Sequence, residues 1–289
     1  MNHDKFYSIL KSIFSLSILK SISTGIELIT GFIIINQLSM IDYASYIICL
    51  SSISMVSAIS SAGLESSLFS KGSKLWKLQP NEFAKLYVSG LAYKKKFTVK
   101  ILIFFVPYIS WILWKNIFEF ESILLHIFSL TPLIFNSVYT SFQKVAMQLA
   151  DKQVLSDKIG VFFSLIRALS SVCIVVVFPS VPLLILSNGL IGLCQLIFIR
   201  YYLQSNFSLY SAKISNKMIY SIKKNVNKIL PRVIFRSLNR EVKIILISIV
   251  GSTSMIASIG ALRKISKTFE IINPSIDSII LPLFTKKKI

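Results

Sequence analysis

The stretch KILPRVIFRSLNREVK, residues 228–243, leads without a break into the apolar run Ile244 to Val250. Arg232, Arg236 and Arg240 recur every four residues, Lys228 extends the row backward, and Glu241 and Lys243 close it. At helical geometry Arg232 to Arg240 covers a rise of about 12 Å and an arc of about 80°. The row is therefore one positive face of a helix that enters an apolar segment. An insertion scale puts each such charge at about 2.5–3.5 kcal/mol at the centre of a membrane helix, so charges there face protein or a water-filled cavity.

Composition carries the same message over the whole chain. Of 289 residues 54% are hydrophobic and only 15% are charged, with a mean hydropathy of +0.69. A soluble domain carries about a quarter charged residues. The apolar residues come in long blocks, which implies an all-α polytopic membrane protein and excludes a soluble protein with a large core. Short alternating segments of the barrel kind are absent from the sequence. The net charge is +20, which in a soluble protein points to nucleic acid. Here the basic residues lie mostly in the connections, so their meaning is topological and no nucleic acid is implied. Cys49, Cys173 and Cys194 all fall in apolar blocks without a CxxC partner, and His3 and His126 have no companion ligands. Neither a disulfide framework, a metal site nor a cofactor is implied.

Eight spans are expected, at 12–36, 43–69, 97–114, 123–142, 159–178, 183–203, 227–250 and 255–284. The first block is too long for a signal-peptide core and reads as a retained span. It carries Lys20, Thr24, Glu27 and Gly31 on one face, with Glu27 near mid-span. Glu27 reads equally as a structural carboxyl or as a cavity-facing proton or cation site. Ser54, Ser57 and Ser61 on the second span read as close helix packing. Residues 71–100 form a basic connection whose 82–93 portion is expected to lie on the membrane as an amphipathic helix, with attraction to anionic lipid. Pro132 is expected to kink the fourth span. Arg167 sits about two turns into the fifth, where it either snorkels or faces a cavity. The eighth carries Arg263, Lys267, Glu270 and Asp277 as a stripe of mixed sign.

The organisation that follows is a six-span lobe over 1–203, a basic cytoplasmic linker over 204–228, and the first two spans of a second lobe over 229–289. Between-span connections on one side hold the lysines, whereas those on the other hold Lys115 alone. The positive-inside rule then places the N-terminus in the cytoplasm. A short echo, Tyr43-Ala44-Ser45-Tyr46 against Ile256-Ala257-Ser258-Ile259, follows corresponding turns in the two lobes, as parallel repeats in transporters do. In the plain reading of the arginine row, Pro231 opens a helix at its first turn and Lys228 and Arg232 anchor it at the inner surface. Arg240 lies too deep for that.

Three segments resemble the Wzx-type polysaccharide flippases of the MATE-like multidrug/oligosaccharidyl-lipid/polysaccharide exporter superfamily. They are YASYIICLSSISMVSAISSAGLESSLF at 43–69, ILPRVIFRSLNREVKIILISIVGSTSMIASIGAL at 229–262 and LPLFTK at 281–286. Ala44 and Ala257 stand where the family commonly has glycine, and Ile259 where it commonly has tyrosine. The family has two full lobes, whereas this chain supplies one and the start of the other, as a truncated form or one part of a split protein. The resemblance implies export of oligosaccharide linked to undecaprenyl pyrophosphate across a bacterial inner membrane, with no enzymatic step. Arg232, Arg236 and Arg240, with Arg167, Arg263 and Lys20, would bind pyrophosphate and sugar, since guanidinium forks suit phosphate. Glu27, Glu241, Glu270 and Asp277 would pair with these cations or couple H+ or Na+. Membrane lipid and other polysaccharide assembly proteins are the remaining implied partners. The alternatives are a multidrug exporter of the same superfamily, a membrane enzyme of polysaccharide assembly (a polymerase or ligase), and an inactive fragment.

Overall fold

A computed structural model describes residues 3–116 and 119–269, and every regular element among them is helical. The order is α1 (His3–Gln37), α2 (Met40–Ser60), α3 (Leu64–Leu78), α4 (Pro80–Asn116), α5 (Phe120–Leu149), α6 (Gln153–Val177), α7 (Val181–Phe207), a single 3-10 turn (Leu209–Ser211), α8 (Asn216–Val250) and α9 (Thr253–Phe269). Six of these, α1, α2 and α4 to α7, are long and apolar enough to cross a membrane. The chain is an all-α, multi-pass membrane protein.

The helix ends follow local chemistry. Ser39 opens α2, its Oγ accepting from the Asp42 N–H at 3.1 Å; such a cap satisfies one orphan donor of the first turn. Pro182 lies in the first turn of α7, where no intrahelical N–H is required. Gly63, with φ +67°, breaks the chain between α2 and α3, a conformation that glycine adopts at no steric cost. The expected span over 43–69 therefore ends at Ser60. Beyond Gly63 a separate amphipathic helix begins, α3, that buries Leu64 and Leu68.

Two further expectations are corrected by helix length. The 82–93 segment is not a separate amphipathic helix; it is the first part of α4, and Phe83, Leu86 and Tyr87 there are fully buried in the protein. Pro231 does not open α8, which begins at Asn216 and carries Pro231 in its interior. At 1.5 Å per residue, α4 and α8 are each about 50–55 Å long, well beyond a hydrocarbon core of about 30 Å. Their first halves pack together at the lysine-rich end. Ser215 N–H donates to Ser89 Oγ there, and at the opposite end Asn116 donates to the Ser248 carbonyl. The two helices thus run side by side in the same direction. What reads as a linker in sequence is largely the end of α7 and the docked start of α8.

Packing divides into two cores. One, around Tyr43, Ile47, Ile112, Leu130 and Leu184, fills the bundle away from the lysine-rich end. The other, around Leu68, Phe83, Tyr87, Phe142, Leu203 and Val226, fills that end and ties α3, α4, α5, α7 and α8 together. The hub is α2, which packs against α4, α5, α7, α8 and α9. The tightest pairing is α5 with α7, where two glycines admit close approach. A Cβ on Gly189 would sit 2.8 Å from the Leu133 backbone nitrogen and from Pro132, and one on Gly192 would meet the Asn136 amide at 2.3 Å. Pro132 thus marks where α7 crosses α5.

Gly189→Val is expected to destabilise the bundle by about 1–3 kcal/mol, the usual penalty of overpacking. Gly160→Ala, with nothing within 4 Å of its added methyl, should be neutral. Thermal unfolding of the two variants in detergent checks the contrast.

Candidate functional site

Three polar stripes converge inside the bundle. Along α6, Asp157, Gly160, Ser164, Arg167 and Ser171 recur at steps of three and four and share one face. On α5 the stripe is Asn136, Ser137, Thr140, Ser141 and Lys144, and on α1 it is Ser23, Glu27 and Thr30. With Asn188 and Gln195 of α7, these side chains line two adjoining cavities, of about 400 and 290 Å³. The larger holds Ser23, Asn136, Thr140, Lys144 and Asp157 and lies toward the lysine-rich end. The smaller holds Thr30, Tyr46, Ser164, Ser171 and Asn188 and lies deeper in the bundle. Glu27, midway along the apolar Ser17–Gln37 part of α1, and Arg167, near the midpoint of α6, line both, so they mark where the cavities meet.

Direct polar contacts hold the walls. Ser23 Oγ donates to Ser164 Oγ at 3.5 Å between α1 and α6. Asn188 Nδ2 donates to Ser171 Oγ at 3.0 Å, and Ser170 Oγ to Ser187 Oγ at 3.3 Å, between α6 and α7. Thr140 Oγ1 donates to Asn136 Oδ1 at 2.8 Å along α5. The Glu27 carboxylate is close enough to act electrostatically on the Arg167 guanidinium. Two carboxylates, Glu27 and Asp157, and two cations, Arg167 and Lys144, therefore share the larger cavity, amid hydroxyls and amides. Such a lining solvates a polar, charged guest. Among the described residues no group of three or more metal-ligating side chains occurs.

The sequence-expected site residues divide sharply. Glu27 and Arg167, placed separately by sequence, are brought into one cavity. Arg232 and Arg236 are exposed on α8 and line neither cavity. Ile229 lies against Gly63 at the α2–α3 turn, so Arg232 stands about one turn beyond that level and Arg236 about two. Arg263 Nη1 donates to Ser51 Oγ at 3.3 Å, joining α9 to α2. The side chains of Lys20, Arg240 and Glu241 lie outside the described ones, and Glu270 and Asp277 lie outside the described residues altogether. On α1 the cavity face is Ser23, Glu27, Thr30, Gly31 and Ile34, a slight rotation from the expected Lys20–Thr24–Glu27–Gly31 face.

Sequence reasoning missed the α5 stripe and all of the α6 stripe except Arg167. The spacing of small polar residues around Arg167 was a usable signal. Each residue alone is unremarkable in a membrane helix, so only the run identifies a wall. No protein-family model, curated protein or solved structure matches this chain.

In a chain freed of Cys49, Cys173 and Cys194, a cysteine at Thr140 should react readily with a water-soluble thiol reagent. One at Val138, fully buried on the same helix, should not. Mass spectrometry of the labelled protein reads the difference.

Proposed function

We propose that this chain is a transport protein whose bundle cavity passes the polar headgroup of a lipid-linked oligosaccharide across a bacterial inner membrane while the lipid tail stays in the bilayer. The observation that carries this reading is the paired cavity itself, rich in charged and hydroxyl groups in its larger half, more apolar in its smaller half and held between helices long and apolar enough to span a membrane, with Arg167 and Glu27 where the halves meet. Sugar hydroxyls find Asn136, Thr140 and Gln195, which hydrogen-bond neutral polar groups. A pyrophosphate finds Arg167 and Lys144; charge-assisted bonds to phosphate are about twice as strong as neutral ones.

The resemblance of the 43–69 and 229–262 segments to Wzx-type flippases supplies the substrate class: undecaprenyl pyrophosphate bearing an O-antigen or capsule repeat. On this reading α8 and α9 are the seventh and eighth spans and open a second, MATE-like lobe. The row Arg232, Arg236 and Arg240 gives that lobe a cationic wall, and Arg263 and Lys20 add to the positive charge. Glu27, Glu241, Glu270 and Asp277 balance those charges or carry H+ or Na+ as the lobes rock. The N-terminus and the lysine-rich end face the cytoplasm, and no covalent chemistry is performed.

One observation favours a second reading. Glu27 and Asp157 in the same cavity fit a cationic drug as well as a coupling ion, which is the chemistry of a multidrug exporter. The two readings part on Arg167, which repels a cation and holds a phosphate.

In a strain whose surface polysaccharide depends on this chain, Arg167→Ala should reduce polymer display at least tenfold with the protein still in the membrane. Arg167→Lys should restore part of it, since lysine keeps the charge but loses the fork. Undiminished display with Arg167→Ala, or a gain in resistance to cationic drugs with the wild-type chain and none in polysaccharide, would sink the flippase reading.

A further inference from the structure

Behind the cavity wall lies a charge that the transport reading has not used. Lys94, on α4, has a side chain with no exposed surface. Its Nζ donates to Ser61 Oγ and to Ser141 Oγ, each at 3.2 Å, and stands 3.6 Å from Glu65 Oε1. The Phe142 ring covers it at 5.3 Å. The cluster joins the α2–α3 turn, α4 and α5 at the boundary between the two cores. Its parts differ in access: Glu65 is one-third exposed on the side of α3, whereas Ser141 belongs to the wall of the larger cavity. A single hydroxyl therefore separates the ammonium from the cavity.

Ser141 is also oriented. Its own hydrogen goes to the Val138 carbonyl at 3.0 Å, so its oxygen is left to accept from Lys94. The positive charge is thus held against the back of the wall, in surroundings where fields are weakly screened. The charged groups around it are few. Glu65 faces it from α3, Lys144 lies one turn along α5 on the cavity side, Asp157 and Glu27 line the same cavity from α6 and α1, and α8 presents Val226 and Ile229 at the neighbouring Gly63.

We propose that Lys94 makes the cavity floor selective for anionic headgroups, acting through Ser141 rather than by touching the guest. This rests on the transport reading of the cavity and adds the charge class that the lysine-rich end of the cavity admits. The carboxylates and cations that line the larger cavity are equal in number, so Lys94 tips the floor's potential positive, and Glu65 attenuates it. Lys144 is free to follow the guest because it is exposed, whereas Lys94 is fixed by three partners and supplies a constant field. A buried lysine with one carboxylate is a weak device for stability alone, which is a reason to look for its effect in the adjoining cavity.

The test exploits opposite signs. Binding of inorganic pyrophosphate to the purified full chain in detergent is measured by calorimetry at mildly acidic pH. Salt near physiological strength is included to screen the exposed lysines. Lys94→Met should weaken binding about tenfold, whereas Glu65→Gln, which keeps both hydroxyl bonds to Lys94, should tighten it severalfold. A purely structural pair would be weakened or unaffected by both changes, and either result for Glu65→Gln overturns the proposal. Should Lys94→Met fail to fold, Glu65→Gln decides alone. Wild-type binding with no response to either charge removes the role of Lys94 and leaves the transport reading standing. An absence of pyrophosphate binding by the wild-type chain removes both.

Discussion

Polar groups at membrane depth have to be satisfied by protein or by enclosed water, because hydrocarbon offers no partner. The arrangement of α1, α5, α6 and α7 depends on this constraint. Each carries a stripe of serine, threonine, asparagine or charged side chains, and the stripes are turned toward one another. The lipid-facing sides are apolar; Phe162, Leu165 and Leu169 on α6 and Ile197 and Phe198 on α7 are exposed. Once these faces meet, Glu27 and Arg167 become neighbours although 140 residues of chain separate them. A cavity results because the stripes carry charges and glycine as well as small hydroxyls, and these do not close into a dry seam.

The rest of the fold holds that cavity open at fixed geometry. Its neighbour α2 is buried by five other helices and forms the rigid side of the bundle. Gly189 and Gly192 draw α7 onto α5 at Pro132 and set the back wall. At the lysine-rich end, the second core anchors the starts of α4 and α8. Asn225 bonds to Ser67 at 2.9 Å, and the Tyr87 and Tyr210 hydroxyls meet at 3.0 Å. The cavity walls therefore belong to one packed unit.

How much of this was legible in sequence follows from what each signal measures. Apolar block length revealed the all-α, multi-pass class, since it reports transfer to hydrocarbon directly. It failed at 43–69, where Gly63 breaks the chain inside a continuously serine-rich run. It failed again at Asn216–Val250, where a helix continues through Pro231 into a lysine-rich segment. In both places tertiary packing at the lysine-rich end, invisible to hydropathy, fixes the helix. The site was half legible. Glu27 and Arg167 stood out because a charge in a span is rare. Thr140, Ser164 and Ser171 did not, because only their shared face carries meaning. Lys94 was not singled out within the basic connection over 71–100, since nothing local distinguishes a buried lysine from its neighbours Lys95 and Lys96. Its burial depends on Ser61, Glu65 and Ser141 arriving from elsewhere in the chain.

The most direct test of the cavity as a substrate path is transbilayer movement in vesicles of purified chain carrying a fluorescent undecaprenyl-pyrophosphate sugar lipid. A cysteine at Thr140, in a chain with no other cysteine, provides the block. Movement should depend on the protein and fall at least tenfold when a bulky thiol reagent occupies Thr140Cys. Movement that persists after complete modification at that position would contradict the account.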